Sequence, residues 1–316
     1  MSRKCYNVDV AYNEFVLLKG ADMVKDFCEK LAFPTEATVC LTEAYSKIVS
    51  EPEALSLIYK AMDIVYTVKD NSFVPLLQEI SEKTGIHRYT SDLVFWIMSA
   101  KPLYCIYNEK KLPENLYWDA MADLRYKLME CYNLHGIWGV FSTWFLMFYT
   151  LERMTFGRLH YDVLKWGGDA YRGFLMPGDT YYRCHIPSSG PLTPESVMDS
   201  LKKAYTYYKD DLKNGLMSVA CNSWLLYPPV TALFGENSNT KKFCDLFDLI
   251  GTKEDPMNRD FWRVFNKEYK GPETLREITA EKPLQKNLKE YLEAGNSFGI
   301  GYGILLFDGE KVINYN

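Results

Sequence analysis

Through the first 135 residues apolar side chains recur every three to four positions, and after Tyr149 short alternating runs between turn signals replace them. A period near 3.6 places apolar groups on one face of a helix, and a period of two places them on one face of a strand. A chain that changes period once therefore reads as a helical part followed by a part that mixes strands with helices. At 316 residues it is about twice an ordinary domain. We read the fold class as α+β, with a helical N-terminal domain over residues 1–135 and a second domain over 136–316.

In the first part, Ala21 to Ala32 carries Met23, Val24, Phe27 and Leu31 at helical spacing and stops before Pro34. Pro52, flanked by Glu51 and Glu53, opens a helix whose apolar face runs through Leu55, Ile58, Met62 and Val65. Further helices are predicted over Phe73 to Lys83, Ser91 to Ser99 and Pro113 to Cys131. Gly136 to Thr150 is charge-free but shorter than the roughly twenty residues that span a bilayer, so a core helix is expected there. No Gly-rich loop, metal-ligand spacing or nucleophile motif falls in this part.

In the second part, a strand or hairpin is predicted over Met154 to Trp166, and strands over Tyr181 to Ile186, Leu216 to Cys221, Phe247 to Gly251, Phe261 to Phe265 and Ser297 to Phe307. Helices are predicted between them, over Thr193 to Lys213, Pro228 to Phe234, Asn239 to Asp245 and Pro283 to Ala294.

Composition removes several classes of function. A net charge of −5 with no basic stripe argues against a nucleic-acid partner. The eight cysteines include no C-x-x-C pair, and the opening MSRKCYNVDV lacks an apolar core segment, so reduced thiols in the cytoplasm are expected. His87, His135 and His160 are scattered, and no metal site or membrane association is expected.

The most informative stretch is Tyr181 to Tyr208. A strand enters a loop holding Ser188, Ser189 and Gly190, and the loop feeds a helix with Thr193 as N-cap and Pro194 in its first turn. Small residues at a helix N-terminus offer N–H donors and a positive dipole end, which suits a pyrophosphate. The same residues also describe an ordinary capped connection.

The order of elements from Tyr181 to Phe265 resembles the core of GNAT acyltransferases. HIPSSGPLTPESV, CNSWLL (Cys221 to Leu226), NSNTKKF (Asn237 to Phe243) and LQKNLKEYLEAG (Leu284 to Gly295) resemble the GNAT-like C-terminal domain of a bacterial family of two-domain acyltransferases. That family carries a helical N-terminal acyltransferase domain, which the first half here would supply. The resemblance implies an acyl-CoA-dependent N-acyltransferase that passes its acyl group directly to an amine on a small molecule or peptide. Acetyl-CoA or another acyl-CoA would be the co-substrate, with no metal. Ser188, Ser189, Gly190, Leu192 and Thr193 would cradle its phosphates. The sequence departs from the usual Gln/Arg-x-x-Gly-x-Gly/Ala loop, with Pro187 in the Gln/Arg position and Leu192 in that of the second small residue. A catalytically inactive, GNAT-derived binding or regulatory protein is the alternative.

Direct transfer needs a base and an oriented acceptor. His185, at the end of a strand, is the candidate base, and Ser223, after the next strand, is a candidate proton relay or thioester donor. Each also has a plain structural reading, His185 as a tie at the strand end and Ser223 as a turn cap. Cys184 and His185 are strand neighbours and point to opposite faces, so they cannot act as a pair. Cys221 as a nucleophile beside His185 is a third reading.

Overall fold

The structure, a computed structural model, describes residues 20–141 and 143–314. The opening decapeptide and Cys5 lie outside the described residues. Chain contacts divide the protein into two compact units, Met1–Met154 and Thr155–Asn316.

The first unit is helical. It contains α1 (residues 20–30), α2 (Thr35–Ser50), α3 (Pro52–Asp63), α4 (Val74–Thr84), α5 (Arg88–Glu109), α6 (Glu114–His135) and the short α7 (Leu146–Tyr149). Leu93 through Met98 of α5 are all buried, the signature of a helix enclosed on every side. Among the described residues no helix is long and apolar enough to cross a membrane.

Two sequence expectations change here. Gly136 to Thr150 is not one helix, because only Leu146–Tyr149 is helical. Before it the chain runs against the start of α5, where Val140 N–H donates to the Tyr89 carbonyl at 2.9 Å. The division between units falls after Met154, not at residues 135–136. The segment expected to open the second domain is core of the first: the Tyr149 hydroxyl donates to the Trp96 carbonyl at 2.6 Å, and the Phe145 ring packs 5.8 Å from the Trp96 ring.

The strands are β1 (Arg153–Phe156), β2 (Leu159–Lys165), β3 (Thr180–His185), β4 (Met217–Ser223), β5 (Asp248–Asp255) and β6 (Phe298–Phe307). They form one sheet in the order β1-β2-β3-β4-β6-β5. Strands β3 and β4 are parallel, joined through α8 (Pro194–Tyr208), while β2–β3, β4–β6 and β5–β6 are antiparallel. The short helices are α9 (Pro228–Thr231), α10 (Asn239–Cys244), α11 (Trp262–Phe265) and α12 (Pro272–Arg276), followed by α13 (Pro283–Glu293). Phe261 to Phe265, expected as a strand, is a helical turn. Its two phenylalanines, four residues apart, stack with ring centres 4.4 Å apart.

Register fixes which side chains share a face. Tyr161, Tyr182, Cys184, Val219 and Cys221 point to the face covered by α8, where Tyr161 Oη meets Ser200 Oγ at 3.1 Å. The glycines that interrupt β6 lie on that same face at every second position. A Cβ on Gly301 would sit 2.1 Å from the Leu226 carbonyl oxygen, so the Trp224–Leu226 turn packs directly on bare backbone. On the opposite face Ala220, Ile304 and Leu306 form a core with Tyr171 and Leu175 of the β2–β3 connection.

Candidate functional site

Strands β3 and β4 pair through Tyr182↔Val219 and Arg183↔Ala220, and no registered pair follows. Both strands continue, β3 to His185 and β4 to Ser223. The two strands therefore lose their ladder at their C-terminal ends, and His185 is the last residue of β3.

The arrangement around His185 is set by the β2–β3 register. Asp162 is paired with Arg183, and His160 with His185, so all four side chains belong to the face opposite α8. His185 Nε2 lies 2.7 Å from Asp162 Oδ2, and Arg183 Nη2 lies 2.9 Å from the same oxygen. Asp162 is fully buried, while the His185 and Arg183 side chains keep 21% and 32% of their exposure. A buried carboxylate is retained only when paired, and this one has two basic neighbours reaching it from the next strand. The acceptor oxygen at Nε2 keeps a proton on that nitrogen, so neutral His185 carries its lone pair on Nδ1. A histidine oriented by a buried carboxylate has the chemistry of a general base.

Neither Asp162 nor Arg183 was singled out from the sequence. The available signals were an acid inside the apolar run Leu159 to Leu164 and an arginine two residues before His185, hence on its face. His160 is buried, and its Nδ1 lies 2.9 Å from Thr155 Oγ1, which makes it an internal tie of β1 to β2.

The other expected site residues separate. Ser223 pairs with Gly301 and so shares the α8 face with Cys221, whereas His185 is on the opposite face. Its hydroxyl accepts from Leu225 N–H at 3.2 Å and caps the Trp224–Leu226 turn. Cys221 is buried next to Cys184. The hydrogen bond between these thiols, and burial, hold Cys221 well above the ordinary thiol range. Cys221 therefore does not face His185.

The loop from Pro187 to Thr193 is held from below by Arg158. Arg158, in the β1–β2 turn, donates to the carbonyls of Pro187 (2.9 Å), Gly190 (2.7 Å) and Pro191 (3.1 Å). In a planar trans peptide the N–H points opposite its carbonyl, so the amides of Ser188 and Leu192 are turned away from Arg158. Gly190 has φ +125°, a conformation closed to ordinary L-residues. The Ser189 hydroxyl is buried without a hydrogen-bond partner. Thr193 Oγ1 caps α8 by accepting from Ser196 N–H at 3.2 Å. Outward amides, a helix N-terminus and an unsatisfied hydroxyl together match what an anionic ligand requires. Among the described residues no three His, Cys, Asp or Glu side chains converge to hold a metal ion.

The family model of an N-acyltransferase N-terminal domain matches residues 22–151, and that of a GNAT-like C-terminal domain matches residues 154–305. No curated protein matches the sequence. Among solved structures, an acyltransferase in complex with decanoyl-CoA and teicoplanin is similar at TM-score 0.71 and 17% identity, covering 89% of this chain and 86% of that one. An acyltransferase in complex with decanoyl-CoA is similar at TM-score 0.70 and 18% identity, covering 90% of this chain and 87% of that one. At that identity the likeness is one of fold.

Proposed function

Because the chain belongs to the two-domain family that joins an N-acyltransferase N-terminal domain to a GNAT-like C-terminal domain, we propose that it transfers an acyl group from acyl-CoA to an amine. One observation carries the mechanism: the Asp162–His185 pair stands at the point where β3 and β4 stop pairing. An acyl thioester lying between the two strand ends would bring its carbonyl beside His185. The amine nitrogen attacks that carbonyl, a C–N bond forms, the C–S bond breaks and CoA leaves as its thiol. His185 accepts the proton the amine gives up, Asp162 stabilises the imidazolium so formed, and that imidazolium returns the proton to the departing thiolate, which leaves as the CoA thiol. Phosphate binding falls to the outward amides of Ser188 and Leu192, the Ser189 hydroxyl and the start of α8. Gly190 shapes that loop, and Thr193 caps the helix. The place of Ser223 in this scheme is to fix the turn that follows β4.

The likeness to structures solved with decanoyl-CoA, CoA and teicoplanin supports an acyl-CoA donor and a small-molecule or peptide acceptor for this chain. All seven described cysteines are free thiols, which fits a reducing compartment such as the cytoplasm. Thermal unfolding with CoA, acetyl-CoA and decanoyl-CoA tests the donor, since a ligand that binds the folded form raises the midpoint by mass action. A rise with the acyl-CoAs and none with adenosine alone is expected. No rise with any of them at millimolar concentration favours the inactive binding protein.

A further inference from the structure

A cavity of about 480 Å³ opens where β5 ends, between α12 and the last turn of α13. That is the size of a small-ligand site. Its apolar part is made by Leu275 and Leu292, both buried. The rest of its lining carries charge of both signs: Glu254 comes from β5, Glu293 from α13 and Arg276 from the end of α12. Among the described residues no ion pair joins Arg276 to either acid. Each acid is held by a neighbour instead. Glu254 Oε1 accepts from the Ser297 hydroxyl at 2.6 Å, and Glu293 Oε1 lies 3.8 Å from Lys289 Nζ. Arg276 is exposed, and its guanidinium has no ion pair or hydrogen bond among the described residues. Tyr269 lines the same space half-buried, and its hydroxyl likewise has no hydrogen-bond partner among the described residues.

Opposite charges that line one cavity without meeting across it leave a dipolar field there, complementary to a ligand that carries both signs. An ammonium group suits Glu254 and Glu293, and the partial negative charge at the C-terminal end of α13 adds to them. The nearby cation Lys289 is drawn off, since its ammonium donates to the Ile278 carbonyl at 2.9 Å. A carboxylate suits the planar fork of Arg276, with the Tyr269 hydroxyl as a second donor. Leu275 and Leu292 offer contact to a hydrocarbon side chain. We propose that this cavity binds a zwitterion with an apolar side chain, an amino acid or a dipeptide. None of Asp162, Arg183, His185 or residues 187–193 lines it, so the site is separate from the acyl-transfer residues and its occupancy does not depend on that reading.

Calorimetric titration of the full-length chain with L-leucine and with L-leucyl-L-leucine, in the absence of acyl-CoA, tests the proposal. At least one of them should bind saturably at millimolar concentration or below. Blocking either charge of the ligand that binds, by N-acetylation or by conversion of its carboxylate to the amide, should weaken binding about tenfold or more. Arg276→Gln should remove the preference for the carboxylate over the amide. Glu254→Gln, whose side chain still accepts from Ser297, should reduce the preference for the free amine over its N-acetyl form. No saturable binding of either zwitterion, or equal binding of the blocked compounds, overturns the proposal. A preference for the carboxylate that survives Arg276→Gln also overturns it, because the zwitterion then binds elsewhere on the protein. If Arg276→Gln does not fold, an amine preference unchanged in Glu254→Gln has the same force.

Discussion

Arg158 Nη2 lies 2.7 Å from the carbonyl oxygen of Gly190, so a turn between two strands holds the loop that begins α8. The loop contains two prolines, Pro187 and Pro191, which lack an N–H, and three of its carbonyls are held by that guanidinium. Arg158→Ala should weaken acyl-CoA binding about tenfold or more while leaving the circular dichroism spectrum unchanged. Calorimetric titration with CoA checks this, and unchanged affinity would detach the loop from donor binding.

Gly301 is predicted to be intolerant of any side chain, because a Cβ there would collide with the Leu226 carbonyl. Gly301→Ala should destabilise the second unit by about 3 kcal/mol. Gly167→Ala, where nothing lies within 4 Å, should change stability by less than about 0.5 kcal/mol. Urea unfolding of the two variants provides the comparison, and equal midpoints would refute the close packing of the Trp224–Leu226 turn on β6.

The loop and helix around Ser189 were legible in the sequence because their causes are local. Thr193 as cap, Pro194 after it and the apolar face of α8 depend on neighbours within a few residues. The convergence of Asp162, Arg183 and His185 depends on the β2–β3 register, which joins residues across a long connection and leaves only faint marks in either strand. Ser223 and His185 both stand at strand ends, but the pleat decides the face, and for Ser223 that follows from the pairing with Gly301. Phe261 to Phe265 and the segment after Gly136 were misjudged because a turn or two of helix is too short to display its period.

Asp92, buried at the start of α5, gives the helical unit a pH dependence. Burial raises its carboxyl to about 6 from an ordinary 3.8, with the Arg88 guanidinium acting in the opposite direction. The folded form then holds its proton more tightly than the unfolded form. Stability from this group is complete below about pH 4 and is lost as pH rises through 6, by on the order of 2 to 3 kcal/mol. The urea midpoint of the helical unit, measured for the unmutated protein and Asp92→Asn between pH 4 and 7, isolates the contribution of this carboxyl. The difference between the two should change across that window, and a constant difference contradicts it.

Cys221→Ala should retain most transfer activity, because the thiol is buried against Cys184 and held protonated. Iodoacetamide at pH 8 should label the half-buried Cys40 and Cys105 before Cys184 and Cys221. Loss of activity in the variant, with an acyl thioester trapped on Cys221 of the unmutated protein, would establish a thiol mechanism instead.

The central claim is that His185, oriented by Asp162, accepts the proton of the acceptor amine. The most direct measurement is kcat for release of CoA thiol from acyl-CoA with a saturating amine, comparing the unmutated protein with His185→Gln. Loss of a general base costs about 10² to 10⁴ in rate, so kcat should fall within that range while the thermal shift given by acyl-CoA persists. A kcat within threefold of the unmutated value, with donor binding intact, would contradict the account.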